Sequence, residues 1–274
     1  MYRQQWVNFP GAPKTGLVSF DMPIGQLPIA FGLNVMTDQI GFSKTLFARL
    51  ALAYNRHIGA GVLGIGVDFG ILQQQFNGDW VTPDGNNVHD GHIPDYQSSG
   101  LAANPGLNKL TYDVGFGVFY SIANKMYVGI SSTHLAAQDI KATDSIKYSL
   151  ARHYYIVGGY TFNFGEGGKH GINPNVKVKS DAASTQLDLN LTYIFDRSLS
   201  VGISYRMQDA IAPMVGYRFN KGSLNGLRAG YSYDLTMSKI KGYSSGTHEI
   251  SLGYCFNVKK PKKVTSYQNA RFLD

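Results

Sequence analysis

Between Leu187 and Tyr193 the chain reads Leu-Asp-Leu-Asn-Leu-Thr-Tyr, apolar and polar residues in strict alternation. Successive side chains of a strand point to opposite faces, so a period of two means an extended segment with one oily face and one wet face. The same rule runs through most of the last third of the sequence. A Gly-Tyr-x-aromatic cassette recurs there: Gly159-Tyr160-Thr161-Phe162, Gly216-Tyr217-Arg218-Phe219, Gly230-Tyr231-Ser232-Tyr233 and Gly253-Tyr254-Cys255-Phe256. Many strands under one rule, with aromatic residues at their ends, predict a single antiparallel transmembrane β-barrel of the outer-membrane type.

Composition adds less than periodicity. Charged residues make up 16% of the chain, against about a quarter in ordinary soluble proteins. With 32 Gly, 18 Tyr and 15 Phe, this suits a wall facing lipid, and it also suits a tightly packed soluble β protein. The net charge of +7 is local. Lys259, Lys260, Lys262, Lys263 and Arg271 follow the last predicted strand with no acid among them, and the body is nearly balanced. The basic pI therefore does not argue for nucleic acid. The one cysteine, Cys255, excludes an internal disulfide. The apolar run 58–72 is too short for a spanning helix, is rich in glycine and carries Asp68. No signal peptide is legible at the start, where Met1 is followed at once by Tyr-Arg-Gln-Gln-Trp, and this reads as a missing N-terminus and not as evidence against export.

Applied along the whole chain, the alternation rule gives about fourteen strands. They fall near 2–9, 15–23, 29–36, 44–55, 59–72, 110–121, 125–133, 152–164, 172–179, 184–195, 198–207, 210–219, 225–236 and 246–257. The expected organisation is one barrel over 1–257, its first strand incomplete, and a basic tail over 258–274. An even strand number returns both termini to one side. Short connections follow even-numbered strands: Asn55-Arg56-His57, Ile122-Ala123-Asn124, 165–169, Asp196-Arg197 and 220–225. The longest, 73–109 and 134–151, follow odd-numbered ones. Bacterial barrels have short periplasmic turns and long outer loops, so the termini and tail are expected in the periplasm.

The parity of each strand assigns faces. Leu199, Val201, Ile203 and Tyr205 point outward, as do Leu227, Ala229, Tyr231 and Tyr233, and Ile250, Leu252, Tyr254 and Phe256. In-strand charges gather on the inward face: Arg49, Asp68, Asp113, Asp188, Arg206, Arg218, Arg228, Asp234 and Glu249, arginines and carboxylates with no lysine. Mixed signs favour mutual pairing over a field of one sign, so these groups are expected to brace the lumen as ion pairs. A polar conduit lined by them is the alternative. Tyr160, Tyr217 and Tyr254 fall near the periplasmic ends of descending strands, where an aromatic belt belongs. Tyr231 lies on an ascending strand and stands apart from that belt.

Chemistry-bearing motifs are sparse. Gly59, Gly61, Gly64 and Gly66 resemble a phosphate-binding loop in letters only, because no helix follows; they are expected as thinning positions in the wall. His89-Asp90-Gly91-His92, with Asp84 and Asp95, offers a weak metal patch that reads more simply as solvated turn residues. Thr247-His248-Glu249 and Arg152-His153 lie near one rim, but no nucleophile–base–acid spacing accompanies them. No catalytic residue, cofactor or metal is expected.

Several segments also carry a family resemblance. Tyr2-Arg3-Gln4-Gln5-Trp6 and Gly11-Ala12-Pro13-Lys14-Thr15 resemble the opening motif of the PorP/SprF family. Asp38-Gln39-Ile40-Gly41, Arg152-His153-Tyr154-Tyr155, Asp234-Leu235-Thr236-Met237-Ser238-Lys239-Ile240 and Tyr243-Ser244-Ser245-Gly246-Thr247-His248-Glu249-Ile250 are similar to further signatures, in order along the chain. The resemblance implies an outer-membrane barrel of the type IX secretion system. Such proteins help export or retain substrates bearing a C-terminal sorting domain, and some serve gliding adhesins. Family members begin with a signal peptide and an Asn-Pro-Ala-Tyr-Ala-Gly-like stretch that this sequence lacks, and the 73–109 connection bears little family signature.

By the strand assignment, 6–15, 38–41, 152–155 and 238–249 converge on the extracellular rim. The candidate partner-binding residues there are Trp6, Lys14, Thr15, Asp38, Arg152, His153, Tyr155, Ser238, Lys239, Thr247, His248 and Glu249. A shared structural cap, with Gly, Pro and Thr setting turns, is the plainer account of the same motifs. The expected partners are a secreted protein with a sorting domain, other type IX components at the periplasmic face and tail, and outer-membrane lipid, with no nucleic acid. The alternatives are a channel or hydrophobic-solute transporter, and a rim-active barrel enzyme.

Overall fold

A computed structural model describes residues 1–25, 27–41, 43–76, 108–136, 139–141 and 147–256. The first half of the wall is built from β1 (Tyr2–Gln4), β2 (Lys14–Pro23), β3 (Ile29–Ile40), β4 (Ser43–Ile58), β5 (Gly61–Phe76), β6 (Asn108–Ile122) and β7 (Met126–Thr133). Then follow a small separate hairpin, β8 (Asp139–Lys141) with β9 (Lys147–Ser149), and a broken wall strand, β10 (His153–Tyr160) and β11 (Phe162–Phe164). The wall continues through β12 (His170–Ser180), β13 (Thr185–Phe195), β14 (Leu199–Arg206), β15 (Ala210–Arg218), β16 (Leu227–Thr236) and β17 (Thr247–Tyr254). Every pairing is antiparallel between neighbours, and β1 pairs with β17 to close a barrel of 14 strands. No described helix is long and apolar enough to cross a membrane, a finding silent on strands.

Closure removes most free edges and leaves backbone groups satisfied where lipid offers no partner. The outer face is the apolar one: Leu50, Leu52, Val67, Phe69, Ile130, Leu191, Ile203 and Ile250 are all exposed. Among the described residues only Leu72, Leu150, Ala210 and Ala212 form buried apolar positions. The molecule is inside-out relative to a soluble domain, as the alternation requires.

Several boundaries differ from expectation for local reasons. β1 stops at Gln4 instead of running to residue 9, because Trp6 (φ 49°) and Asn8 (φ 71°) adopt left-handed backbone and the 5–13 segment leaves the wall. Asn55, Arg56 and His57 are not a turn. They pair with Gly64, Leu63 and Val62, and the reversal comes at Gly59-Ala60, where Gly59 has φ 59°. Gly59 is therefore a turn residue, whereas Gly64 and Gly66 are inward wall positions beside Asn55 and Ala53. The 134–151 connection contains the β8–β9 hairpin. Most of the 73–109 connection, with the His89-Asp90-Gly91-His92 patch, and the 258–274 tail lie outside the described residues.

Two prolines punctuate the ladder. β10 and β11 share one register against β12 (Gly159 opposite Asn175, Phe162 opposite Ile172), and the gap between them faces Pro174. The β12–β13 ladder is continuous through Pro174, so the missing N–H is on the β10–β11 side. Pro213 does the same between β15 and β16, where pairing skips Ala212-Pro213.

One lane of the wall is thin. β1 reaches only to Tyr2 opposite Ile250 and Gly16, with Met1 and Leu17 exchanging backbone hydrogen bonds of 2.8 and 2.9 Å. Beyond that point the lower halves of β2 and β17 face each other with no described strand between them. Val18 and Leu252 are accordingly 73% and 69% exposed.

Candidate functional site

The lumen charges are organised in two zones, which parity alone does not reveal. Toward the end where β16 finishes and β17 begins, Arg3 of β1 donates to Asp234 Oδ2 at 2.6 Å and to Glu249 Oε2 at 3.0 Å. Arg206 Nη1 donates to Asp234 Oδ2 and Asp209 Oδ2, each at 3.1 Å, and its Nε lies 3.5 Å from Asp188 Oδ1. Asp234 is 3% exposed and sits between two guanidiniums. Gln186 also donates to Asp188. On the wall made by β4, β5 and β6, Arg49 Nη2 donates to Asp113 Oδ2 at 2.6 Å and lies 3.9 Å from Asp68. Asp113 is 1% exposed, and His134 Nδ1 comes within 3.1 Å of it.

These carboxylates stay buried because arginine's planar fork satisfies them. Glycines make the room: a Cβ on Gly115 would collide with the Asp68 carboxylate, and one on Gly70 would meet Arg49 Cγ at 2.8 Å. Arg49 also lies 5.4 Å from the centre of the Phe47 ring. Bracing thus holds for Arg49, Asp68, Asp113, Asp188, Arg206, Asp234 and Glu249. Arg3 and Asp209 belong to it and escaped the inward set: Arg3 lay in a stretch read for its motif, and Asp209 lies in the turn between β14 and β15.

Bracing does not hold for Arg218 and Arg228, which have no ion pair among the described residues. They stand opposite each other at the end where β15 finishes and β16 begins. Nor is the inward face free of lysine. Lys177 pairs in register with Asp188 and Val157, and Lys179 with Tyr155 and Gln186, so both point into the lumen. Lys109 shares the inward parity of Asp113. A wide, wet lumen hydrates an ammonium group, so lysine there needs no ion-pair partner.

At the opposite end, loop 5–13 ties the rim together. Val7 N–H donates to Gly246 O, Ser245 N–H to Val7 O, and Gly41 N–H to Gly11 O, each at 2.9 Å. Trp6 N–H donates to Thr247 Oγ1 at 3.1 Å, and Asn8 Nδ2 to Ser245 Oγ at 2.8 Å. Three of the four motif segments are thus one hydrogen-bonded assembly. The fourth lines the mouth across the lumen: His153 stacks on Tyr155 with ring centres 6.3 Å apart and meets His134 at 5.5 Å. These residues share with Arg49, Asp68 and Lys179 a cavity of about 820 Å³.

The twelve rim candidates therefore divide. Thr15 donates to Asp38 at 2.6 Å, Thr247 is buried, Glu249 holds Arg3, and His153 and Tyr155 face the lumen. Trp6 is half-buried and packs edge-on against Phe9. Lys14, Arg152 and Lys239 are exposed, and Ser238 begins the exposed turn that contains Lys239. His248 points outward and bonds Tyr231 at 2.8 Å, while Thr247 and Glu249 point inward. Opposite faces cannot converge on one reacting atom, so this triplet is not a catalytic set.

The aromatic cassettes separate as their strand directions require. Tyr160–Phe162, Tyr217–Phe219 and Tyr254–Phe256 each form a ring pair, with centres 4.6, 4.8 and 4.7 Å apart, at the end where β15 and β17 finish. Tyr231 and Tyr233 instead pack against His248 in the other half.

The family model described as type IX secretion system membrane protein PorP/SprF matches residues 1–254. The chain belongs to the PorP/SprF family. Among solved structures this PorP/SprF barrel is similar to a triple mutant of the Rhodopseudomonas blastica porin, at 9% identity and TM-score 0.35 over 93% of this chain and 96% of that one. It is also similar to the β domain of the Bordetella autotransporter BrkA, at 12% identity and TM-score 0.35 over 93% and 96%. No curated protein matches the sequence. The PorP/SprF assignment makes the molecule an outer-membrane barrel with a role in secretion.

Proposed function

We propose that this PorP/SprF barrel is a non-enzymatic docking protein. It binds secreted proteins through their C-terminal sorting domain at the rim opposite the termini, and so supports their export or their retention at the cell surface, gliding adhesins included. The termini face the periplasm in this reading, because the two longest connections, 77–107 and 134–152, leave from the other end. Further type IX components meet the periplasmic face and the basic tail.

The observation that carries the reading is the bonded rim. Family motifs from the start and the end of the chain are joined there by backbone hydrogen bonds and present Lys14 and Lys239, while Arg152 stands across the mouth; all three are exposed cations without ion pairs among the described residues. Exposed charges around a mouth steer and orient a partner. Charge reversal at all three, by Lys14→Glu, Arg152→Glu and Lys239→Glu, is expected to weaken capture of an isolated sorting domain by roughly tenfold or more. The barrel's heat-resistant electrophoretic mobility should persist. Unchanged capture by a folded triple variant sinks the rim reading.

A second reading, a channel or hydrophobic-solute transporter, draws support from the unpaired lumen cations Lys177 and Lys179. Reconstitution in a planar bilayer separates the two. Docking with a braced lumen predicts little ion conductance, and a large steady conductance favours the channel.

A further inference from the structure

Every other arginine of the described lumen wall is neutralised within the fold: Arg3 by Asp234 and Glu249, Arg49 by Asp113, and Arg206 by Asp188, Asp209 and Asp234. The end where β17 finishes departs from this rule. Arg218 closes β15 and Arg228 opens β16, and the two are direct cross-strand partners. Arg197, in the turn after β13, joins them around a cavity of about 560 Å³. None of the three guanidiniums has an ion-pair partner among the described residues. The cavity wall contributes Asn163, Ser200 and Ser251, and no aspartate or glutamate.

Like charges directly opposite each other in a sheet destabilise it. All three residues are exposed, so their guanidiniums are open to a ligand that enters from the water. Three donors with planar forks, beside neutral hydroxyl and amide groups, have the chemistry that takes a carboxylate or phosphate in bidentate fashion. Rings of arginine inside pores serve anions in this way. The site lies within the lumen mouth, so its ligand arrives through the aqueous opening.

We propose that Arg197, Arg218 and Arg228 form a binding site for an oxyanion group, a carboxylate or a phosphate, at the lumen mouth where β15 finishes and β16 begins. The missing counter-charge of this zone is supplied by the ligand. This inference does not depend on the docking role of the opposite rim.

The test uses the full chain refolded in detergent micelles, with two probes titrated by calorimetry: inorganic phosphate and a hexaglutamate peptide. Each charged hydrogen-bond donor removed should weaken binding by roughly tenfold or more. The Arg218→Gln/Arg228→Gln double variant is therefore expected to lose the binding that the unmodified protein shows. Peptide binding well above that of phosphate identifies a polypeptide carboxylate as the ligand; phosphate binding alone identifies a small-ion site. Thermal unfolding gives a second readout. Without either probe the double variant should melt at a higher temperature than the unmodified barrel, because its like-charge pair is gone, and adding a probe should raise only the unmodified barrel. Should the Gln variant fail to fold, Arg218→Lys/Arg228→Lys keeps the charge without the fork and is expected to bind with intermediate strength. Equal binding of both probes by the unmodified and substituted barrels overturns the proposal.

Discussion

Asp113 shows how much one residue depends on the geometry around it. At 1% exposure its carboxylate is held by Arg49, which reaches it from a strand two positions away in the wall, with His134 Nδ1 3.1 Å from the same oxygen. Arg49→Leu strands that charge, and breaking a buried pair from one side costs about 3–5 kcal/mol. The upper part of that range does not apply, since the Arg49 side chain itself is 20% exposed. Chemical unfolding should place Arg49→Leu far below Arg218→Leu, which removes no partner. Gly115→Val is expected to destabilise by about 1–3 kcal/mol by pushing into Asp68. At the rim, Asp181 accepts hydrogen bonds from Ser184 N–H, Ala183 N–H and the Ser184 hydroxyl. The Ser184 and Ala183 backbone bonds hold its carboxyl below the usual carboxylate range. The folded value is the lower one, so this contribution is complete above the ordinary carboxylate pKa and is lost as pH falls through the depressed one. Amide exchange at Ser184 should accelerate across that acidic window, and Asp181→Asn should flatten the response.

Parity made the inward direction of Arg49, Asp68 and Asp113 legible, because a period of two needs only local sequence. Their partners were not legible. Arg3 meets Asp234 and Glu249 across separations of 231 and 246 residues, and only barrel closure brings those positions together. The lysines of β12 were missed for a different reason. The strand 172–179 carries Pro174 and the run Asn175-Val176-Lys177-Val178-Lys179, whose alternation does not by itself say which face is lumen, and Lys177 and Lys179 make no ion pair among the described residues that would mark them.

At the scale of elements, fourteen strands were readable from alternation, and boundaries failed where backbone conformation overrides pattern. Trp6 and Asn8 end β1 early through positive φ, which a bulky indole gives no reason to expect. The prolines make a sharper statement. Pro174 interrupts the β10–β11 strand by withholding a donor, so Pro174→Val should let the ladder close through Tyr160 and Thr161. The gain expected is about 0.5–1.5 kcal/mol, the net worth of one hydrogen bond, seen as a higher denaturant midpoint; no gain would place the interruption elsewhere.

For the whole molecule, the two charge zones matter more than any single pair. In the braced half the carboxylates are balanced by arginines and by the inward Lys109, Lys177 and Lys179, while Arg197, Arg218 and Arg228 stand without acids at the other end. The lumen therefore has an electrical polarity along its axis. Even a small ion current through it should rectify, passing more readily under one sign of voltage than the other. Substituting Gln for Arg218 and Arg228 should make that current symmetric.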